Sequence, residues 1–129
     1  MLDGVKYSNY PDGEEYVRMY LSAMFITKKH AVKYVEKLVH KEGVGITDEL
    51  EISFASEYNV NDAEYFGETG VVLYAYYPAA IEDMAIIMSE EQFYKLLSEY
   101  ITKNIHSFPE NEQGILINLI NICQNNNIT

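Results

Sequence analysis

The apolar residues in the first third of the chain recur with the 3.6-residue period of an α-helix. Segment 13–26 has this spacing and predicts a first helix, although its aromatic content leaves a strand over 17–25 as an alternative. A second stripe predicts a helix that Thr27 caps and that ends at "HKEGVG", with glycine just beyond it. The second stripe comprises Ala31, Tyr34, Val35, Leu38 and Val39.

The last third of the chain predicts two further helices. Ser89 and Gln92 have the spacing of a capping box in front of the apolar stripe 93–101, which is the most regular helical pattern in the sequence. Ser107 is placed to cap the final helix, with Pro109 in its first turn. The apolar stripe expected to be buried on this helix comprises Ile115, Leu116, Leu119, Ile120 and Cys123.

Between these helices the pattern changes to the two-residue period of β-strands. "ELEISFAS" alternates between an apolar and a polar side, and "VVLYAYYP" is β-branched and aromatic. "MAIIMS" predicts a third strand, antiparallel to the second. The first nine residues are a loose lead-in or a short edge strand. The predicted class is α+β, with an antiparallel sheet of three or more strands packed against about four helices in a single domain, residues 1–129.

The negative charge of the chain is concentrated in its middle. The net charge is −11, yet residues 1–41 carry a net charge of +2, and residues 42–94 hold twelve acidic residues and no Lys or Arg. Such a field repels nucleic-acid phosphates and anionic lipids and attracts basic proteins. No apolar run is long enough to span a membrane, and the first residues lack the pattern of a signal peptide. A cytoplasmic protein is expected.

The sequence contains no recognisable catalytic, cofactor-binding or metal-binding motif. His30, His40 and His106 are interpreted as ordinary histidines near helix ends, and Cys123 as a buried thiol. The acidic segment 57–70 lacks the ligand spacing of an EF-hand, and carboxylates are too plentiful for any pair to indicate a glycosidase. The protein is therefore not expected to be an enzyme, with a small enzyme that uses His30 or His106 as the alternative.

Tyrosines accompany the acidic residues in the middle of the chain. In "VVLYAYYP", Tyr74 and Tyr76 lie on the same side of the predicted strand. Helices are expected to cover one face of the sheet, so the other face is expected to expose tyrosine, a residue enriched at protein interfaces. An interaction surface, a solvated acidic face and a homodimer through Tyr74 and Tyr76 all remain open.

The order of these segments resembles a known family. "MYLSAMF", a helix ending at "GVGI", "ELEISFAS", "VVLYAYYP", "MSEEQFYKLLSEYI" and a last helix after a proline follow one another as in the immunity proteins of contact-dependent growth inhibition systems. The chain is most similar to the group that neutralises ribonuclease toxins. The resemblance covers roughly residues 16–123, and its most specific parts are 43–56 and 86–100.

The resemblance implies a cytoplasmic inhibitor of the toxic C-terminal domain of a cognate toxin, a basic ribonuclease whose active site or RNA-binding surface it blocks. It implies no enzymatic activity, no cofactor, no nucleic acid or membrane partner, and a monomer or weak dimer when free. The loop from Glu57 to Glu68 is expected to imitate an RNA strand, with Tyr58 and Tyr65 as partly buried contacts, and the acidic residues at the first strand and at the hairpin tip are the alternative carriers. The expected toxin-binding residues are Glu57, Tyr58, Asp62, Glu64, Tyr65 and Glu68 of the acidic segment, Asp48, Glu49 and Glu51 at the first strand, Glu82 and Asp83 at the hairpin tip, and Tyr74 and Tyr76.

Overall fold

The computed structural model describes residues 1–26 and 30–128 and has an α+β fold. Helices α1 to α4 span Glu14–Ile26, Ala31–Val39, Glu90–Asn104 and Glu110–Ile128. Strands β1 to β5 span Lys6–Asn9, Val44–Thr47, Leu50–Phe54, Val71–Ala75 and Met84–Met88. The predicted class and the order of two helices, strands and two helices are confirmed, and the alternative strand over 17–25 is wrong. Thr27, the expected cap of the second helix, lies outside the described residues.

The five strands form one mixed sheet in the order β1-β5-β4-β3-β2. The pairs β2–β3, β3–β4 and β4–β5 are antiparallel, so the predicted hairpin of the last two strands is confirmed. Strand β1 is an edge strand that lies parallel to β5, with Lys6 opposite Met84. The sequence therefore did not clearly predict two of the strands. For the first nine residues, which contain β1, an edge strand was one of two interpretations, and the residues of β2 were interpreted as the end of a helix.

The glycines of "GVG" have a different role from the expected helix stop. At the end of α2 it is Lys41 that adopts a left-handed conformation, with φ of 59°. Gly43 instead lies against the neighbouring strand, where a Cβ would be 2.5 Å from the carbonyl oxygen of Ile52 and 2.9 Å from Glu57 Oε1. Gly45 is part of β2, opposite Glu51. Close packing of the backbone therefore explains the glycine at position 43.

The main core lies between the helices and one face of the sheet. Leu50, Ile52 and Phe54 alternate along β3 and are buried against the helices, as their spacing predicts. Side chains from all four helices join this core. Two buried tyrosines satisfy backbone groups: the Tyr20 hydroxyl donates to the carbonyl oxygen of Val44 at 3.0 Å, and the Tyr94 hydroxyl donates to that of Leu38 at 2.7 Å. These bonds fix α1 to β2 and α3 to α2.

The predicted start of α3 is confirmed, and that of α4 is wrong. Ser89 Oγ accepts a hydrogen bond from the backbone N–H of Gln92 at 3.0 Å, and Gln92 Oε1 accepts one from Ser89 at 3.1 Å. Ser107 does not cap α4, because it lies in a one-turn 3₁₀ helix and its hydroxyl donates to Asn104. On α4 the expected stripe is buried except for Ile115, which is 47% exposed.

Candidate functional site

The sheet face that points away from the helices, here called the outer face, is partly covered. Val72, Tyr74 and Ala85 form a small buried cluster on it. Leu2 and other residues of the N-terminal lead-in pack on this cluster, and so does Phe66 from the long β3–β4 connection. Tyr74 is consequently only 1% exposed, so the expectation that its ring is open to a partner is wrong.

Three tyrosines form an ordered aromatic layer on the outer face. The rings of Tyr74 and Tyr76 stack with centroids 5.6 Å apart and an angle of 5° between their planes. Tyr7 from β1 meets Tyr74 edge-on, and their hydroxyl oxygens are 3.4 Å apart. The backbone N–H of Leu2 donates to the Tyr7 hydroxyl at 3.0 Å. Tyr76, directly after β4, is half-buried, and its stacking on Tyr74 restricts the orientation of its ring.

Glu51 presents a carboxylate at the edge of this aromatic layer. It lies on β3 directly opposite Tyr74 of β4, and its Oε1 accepts a hydrogen bond from the Tyr76 hydroxyl at 3.3 Å. Burial raises the pKa of Tyr76, and the negative charge of Glu51 raises it further. The phenol therefore stays protonated as a donor, and the half-buried carboxylate is held by a rigid strand and a fixed ring.

The charges of Glu51 and of two further carboxylates act on Tyr58. It follows β3 through a short 3₁₀ turn and is half-buried. Burial raises the pKa of its hydroxyl, a hydrogen bond with Ser53 lowers it, and the charges of Glu57, Glu51 and Glu64 raise it further. We refer to Glu51, Tyr58, Glu64 and Tyr76 as the acid–tyrosine face.

Two of the expected acidic clusters meet at the end of the sheet beside Tyr76. The backbone N–H of Tyr76 donates to the carbonyl oxygen of Glu49 at 2.8 Å, and that of Tyr77 donates to Asp83 Oδ1 at 3.0 Å. The β2–β3 turn and the β4–β5 connection are therefore neighbours, although Glu49 and Tyr76 are 27 positions apart in sequence. Asp48 is exposed in this turn, and exposed Glu82 forms a 3.7 Å ion pair with Lys6.

Part of the acidic segment 57–70 serves its own loop. Glu57 Oε1 accepts a hydrogen bond from the backbone N–H of Phe54 at 2.8 Å, and Asp62 Oδ2 accepts one from Asn59 at 2.7 Å. The backbone N–H of Tyr65 donates to the carbonyl oxygen of Asp62 at 3.1 Å. These bonds fold the loop, whereas Glu68 is exposed. The negative residues of the middle of the chain thus divide between local structure and open surface.

The last acids of the negative segment belong to the helical side. Glu90 in the first turn of α3 forms a 3.2 Å ion pair with Lys41 at the end of α2. Glu91 lines a groove at α3. The negative residues of the middle of the chain therefore do not form one continuous patch. Most lie on the sheet and its loops, whereas Glu90 and Glu91 lie on α3.

Residues 13–118 match a protein-family model that is described as CDI immunity protein, where CDI denotes contact-dependent growth inhibition. The chain belongs to this family. The resemblance seen in the order of its segments is confirmed. No curated protein and no solved structure matches the chain at a significant level. Membership supports an immunity function for the protein and implies a cognate toxin as its partner.

The histidines and the cysteine of the immunity protein occupy ordinary structural positions. His30 and His40 are exposed at the two ends of α2, and His40 Nδ1 lies 2.8 Å from the carbonyl oxygen of Glu36. His106 is exposed in the short 3₁₀ helix before α4. Cys123 is buried as expected, and burial raises the pKa of its thiol to about 11, so it remains protonated and a poor nucleophile.

Residues 1–26 and 30–128 offer neither a metal-ligand cluster nor a membrane-spanning helix. Among these residues, no group of three or more His, Cys, Asp or Glu side chains is arranged to hold a metal ion. Within the same ranges, no helix combines the length and the apolarity needed to cross a bilayer.

The sequence identified the charged members of the acid–tyrosine face but not the residues that support it. Tyr7, which contacts Tyr74, lies in the segment for which the sequence predicts a loose lead-in or a short edge strand. Ser53, on the polar side of β3, is only 8% exposed. The apolar residues Leu2 and Val5 next to Tyr7 were the one available signal that this segment packs on the sheet.

Proposed function

We propose that this immunity protein neutralises its cognate toxin by covering a positively charged surface of the toxin domain with the acid–tyrosine face. We further propose that the toxin domain is a basic ribonuclease, that the covered surface is its active site or the surface that holds RNA, and that capture takes place in the cytoplasm of the producing cell. The immunity protein acts by binding and needs no catalytic group of its own.

The observation that carries this proposal is the environment of Glu51. Its carboxylate lies on a central strand, accepts a hydrogen bond from Tyr76 and has Tyr58 beside it. A fixed carboxylate next to aromatic rings is suited to bind an Arg or Lys side chain, because charge-assisted hydrogen bonds and cation–π contacts act together. Since the layer of Tyr74 and Tyr7 already fixes Tyr76, little side-chain entropy remains to be lost on binding.

The charges at the sheet end extend this surface. Glu49, Asp83 and exposed Asp48 adjoin Tyr76, while no Lys or Arg occurs between residues 42 and 94. A nuclease must carry basic residues to hold RNA phosphates, and carboxylates can occupy the same basic side chains. Opposite fields also accelerate encounter, which matters because each free toxin molecule acts repeatedly.

Charge reversal tests the proposal, with the purified cognate toxin domain as the partner. The double variant Glu51→Lys/Glu64→Lys should slow association by tens of fold or more, since it removes attraction and adds repulsion at the proposed contact. Glu36→Lys makes the same type of change on an exposed position of α2 and should leave the rate within about twofold. Stopped-flow mixing measures the rates, and cleavage of an RNA substrate measures neutralisation.

Equal effects of the two sets of variants would contradict the placement of the contact. Tight binding of a domain that does not cut RNA would contradict the ribonuclease assignment while leaving the surface intact. The alternative functions have less support, because a homodimer through Tyr74 and Tyr76 needs two open rings, whereas Tyr74 is buried and Tyr76 is half-buried. No structural observation on the described residues favours an enzyme that uses His30 or His106.

A further inference from the structure

A groove of about 650 Å³ lies between α3 and the second half of α4, on the helical side of the molecule. Ser98 of α3, which is 6% exposed, and Tyr94, which is 3% exposed, lie deepest in it. Thr102 of α3 and Gln124 of α4 contribute polar, uncharged side chains to its walls. This groove is separate from the acid–tyrosine face, which lies on the other side of the sheet.

The charged residues of the groove alternate along one face of α3. Glu91, Lys95, Glu99 and Lys103 are spaced four residues apart, all four line the groove, and all four are exposed. Their charges cancel, in a chain whose net charge is −11. The ion pairs within 4 Å in the described part of the chain join other residues, so these four charges are available to a partner.

Helix α4 borders the groove with an uncharged surface. From Gln113 to Thr129 the sequence has no charged residue. Ile117 is 47% exposed and lies seven residues before Gln124, hence on the same side of the helix. The face formed by the charged row of α3 and by Ile117 and Gln124 of α4, here called the α3–α4 face, is electrically neutral and partly apolar.

We propose that a second copy of this chain binds to the α3–α4 face about a two-fold axis, with the two α3 helices antiparallel. The order Glu, Lys, Glu, Lys becomes Lys, Glu, Lys, Glu when it is read in the opposite direction. An antiparallel pair therefore places Glu91 opposite Lys103 of the second copy and Lys95 opposite Glu99, at both ends of the symmetric contact. Such self-complementarity is what an isologous interface requires.

Charge favours a second copy over a basic partner on this face. Two molecules with a net charge of −11 repel each other wherever their negative surfaces meet, and they do so least where each face is neutral. A basic toxin gains no attraction from a face of zero net charge. Helix α3 has 15 residues, so the contact is about 22 Å long and smaller than a standard interface. The dimer is accordingly weak, with a dissociation constant on the order of tens of micromolar.

A charge-swap experiment on the purified immunity protein tests the geometry. Lys95→Glu alone places the new carboxylate opposite Glu99 of the second copy, at two symmetric places in the dimer. Glu99→Lys alone places the new ammonium group opposite Lys95 of the second copy, again at two places. Each single variant should weaken self-association by at least about tenfold. A mixture of the two single variants, and the double variant Lys95→Glu/Glu99→Lys, restore opposite charges at every position. Both should dimerise as the unchanged protein does, as measured by sedimentation equilibrium.

Two isoleucines of α4 provide a matched test of the apolar part. Ile117→Lys places a charge within the proposed contact and should reduce self-association by at least about tenfold. Ile122 is 45% exposed but lies five residues further, about 140° around the helix, so Ile122→Lys should leave the dimer unchanged. Circular dichroism of each variant establishes that the fold is retained.

Several results would overturn the proposal. A protein that stays monomeric at concentrations several times the expected dissociation constant has no such dimer. A dimer that is equally strong in all charge variants uses another surface. If the mixture of single variants fails to associate, the antiparallel pairing is wrong. If these changes slow toxin binding and leave assembly unchanged, the face belongs to the toxin.

Discussion

Glu51 and Glu57 show how the same residue type serves two purposes only six positions apart. Glu57 turns back to the backbone N–H of Phe54 and closes the end of a strand. Glu51 is half-buried and accepts its hydrogen bond from Tyr76, a side chain of the outer face. A hydrogen bond to the backbone fixes a loop, whereas a bond to an outer tyrosine orients a carboxylate on the outer face.

Because Gly43 has no side chain, the backbone of β3 at Ile52 and Ser53 can lie close to it. Gly43→Ala should lower the free energy of unfolding by about 1–3 kcal/mol, because the new methyl group would lie 2.5 Å from the carbonyl oxygen of Ile52 and force the backbone to move. Urea unfolding followed by circular dichroism measures the change.

Gly114→Ala is the matched control for this substitution. Gly114 lies in α4 with open space around its Cα, so an added methyl group meets no atom within 4 Å. The change should raise the free energy of unfolding by about 0.5–1 kcal/mol, since alanine is the better helix former. A Gly43→Ala variant as stable as the unchanged protein would show that this close approach is not a constraint.

At the scale of elements, the start of α3 depends on the reciprocal bonds between Ser89 and Gln92. Ser89→Ala should cost about 1 kcal/mol of stability, because it leaves a backbone N–H of the first turn without its partner. Ser107→Ala is the control, since exposed Ser107 bonds to Asn104 and caps no α-helix. Thermal unfolding measures both. A larger loss at position 107 would contradict the assignment of the caps.

The long helices and the central strands were predictable because their apolar period is regular. The sequence of α3 carries its stripe over several turns and has a local cap, so that nearby residues determine it. Strand β2 has four residues and begins five positions after the end of α2, so Gly43 before it and Gly45 within it have the pattern of a helix stop. Strand β1 is also only four residues long, and its parallel pairing with β5 joins residues almost eighty positions apart.

The sequence predicted which charged residues the candidate site contains, but not which of its residues are exposed. Glu51 could be placed on the outer face because it alternates with Leu50 and Ile52. The burial of Tyr74 depends on Leu2 and Phe66, which come from segments without a regular pattern. The meeting of Glu49 with Tyr76 follows from the pairing of β3 with β4, which fixes the register of both ends.

The whole molecule has two sides with different electrostatic character. The outer face of the sheet and the adjoining turns collect carboxylates and tyrosines, while the α3–α4 face is neutral. Under our proposals the first side binds the toxin domain and the second binds another copy of the chain. Because the helical core separates them, a dimer can hold two toxin domains at once.

The central claim is that the carboxylates of the acid–tyrosine face are covered when the cognate toxin domain is bound. Carbodiimide labelling of carboxylates, read by mass spectrometry in the free protein and in the complex, tests it most directly. Labelling of Glu51 and Glu64 should fall severalfold on binding, while exposed Glu36 and Glu110 on the helical side remain unchanged. Undiminished labelling of Glu51 and Glu64, with protection of Glu36 or Glu110 instead, would contradict the account.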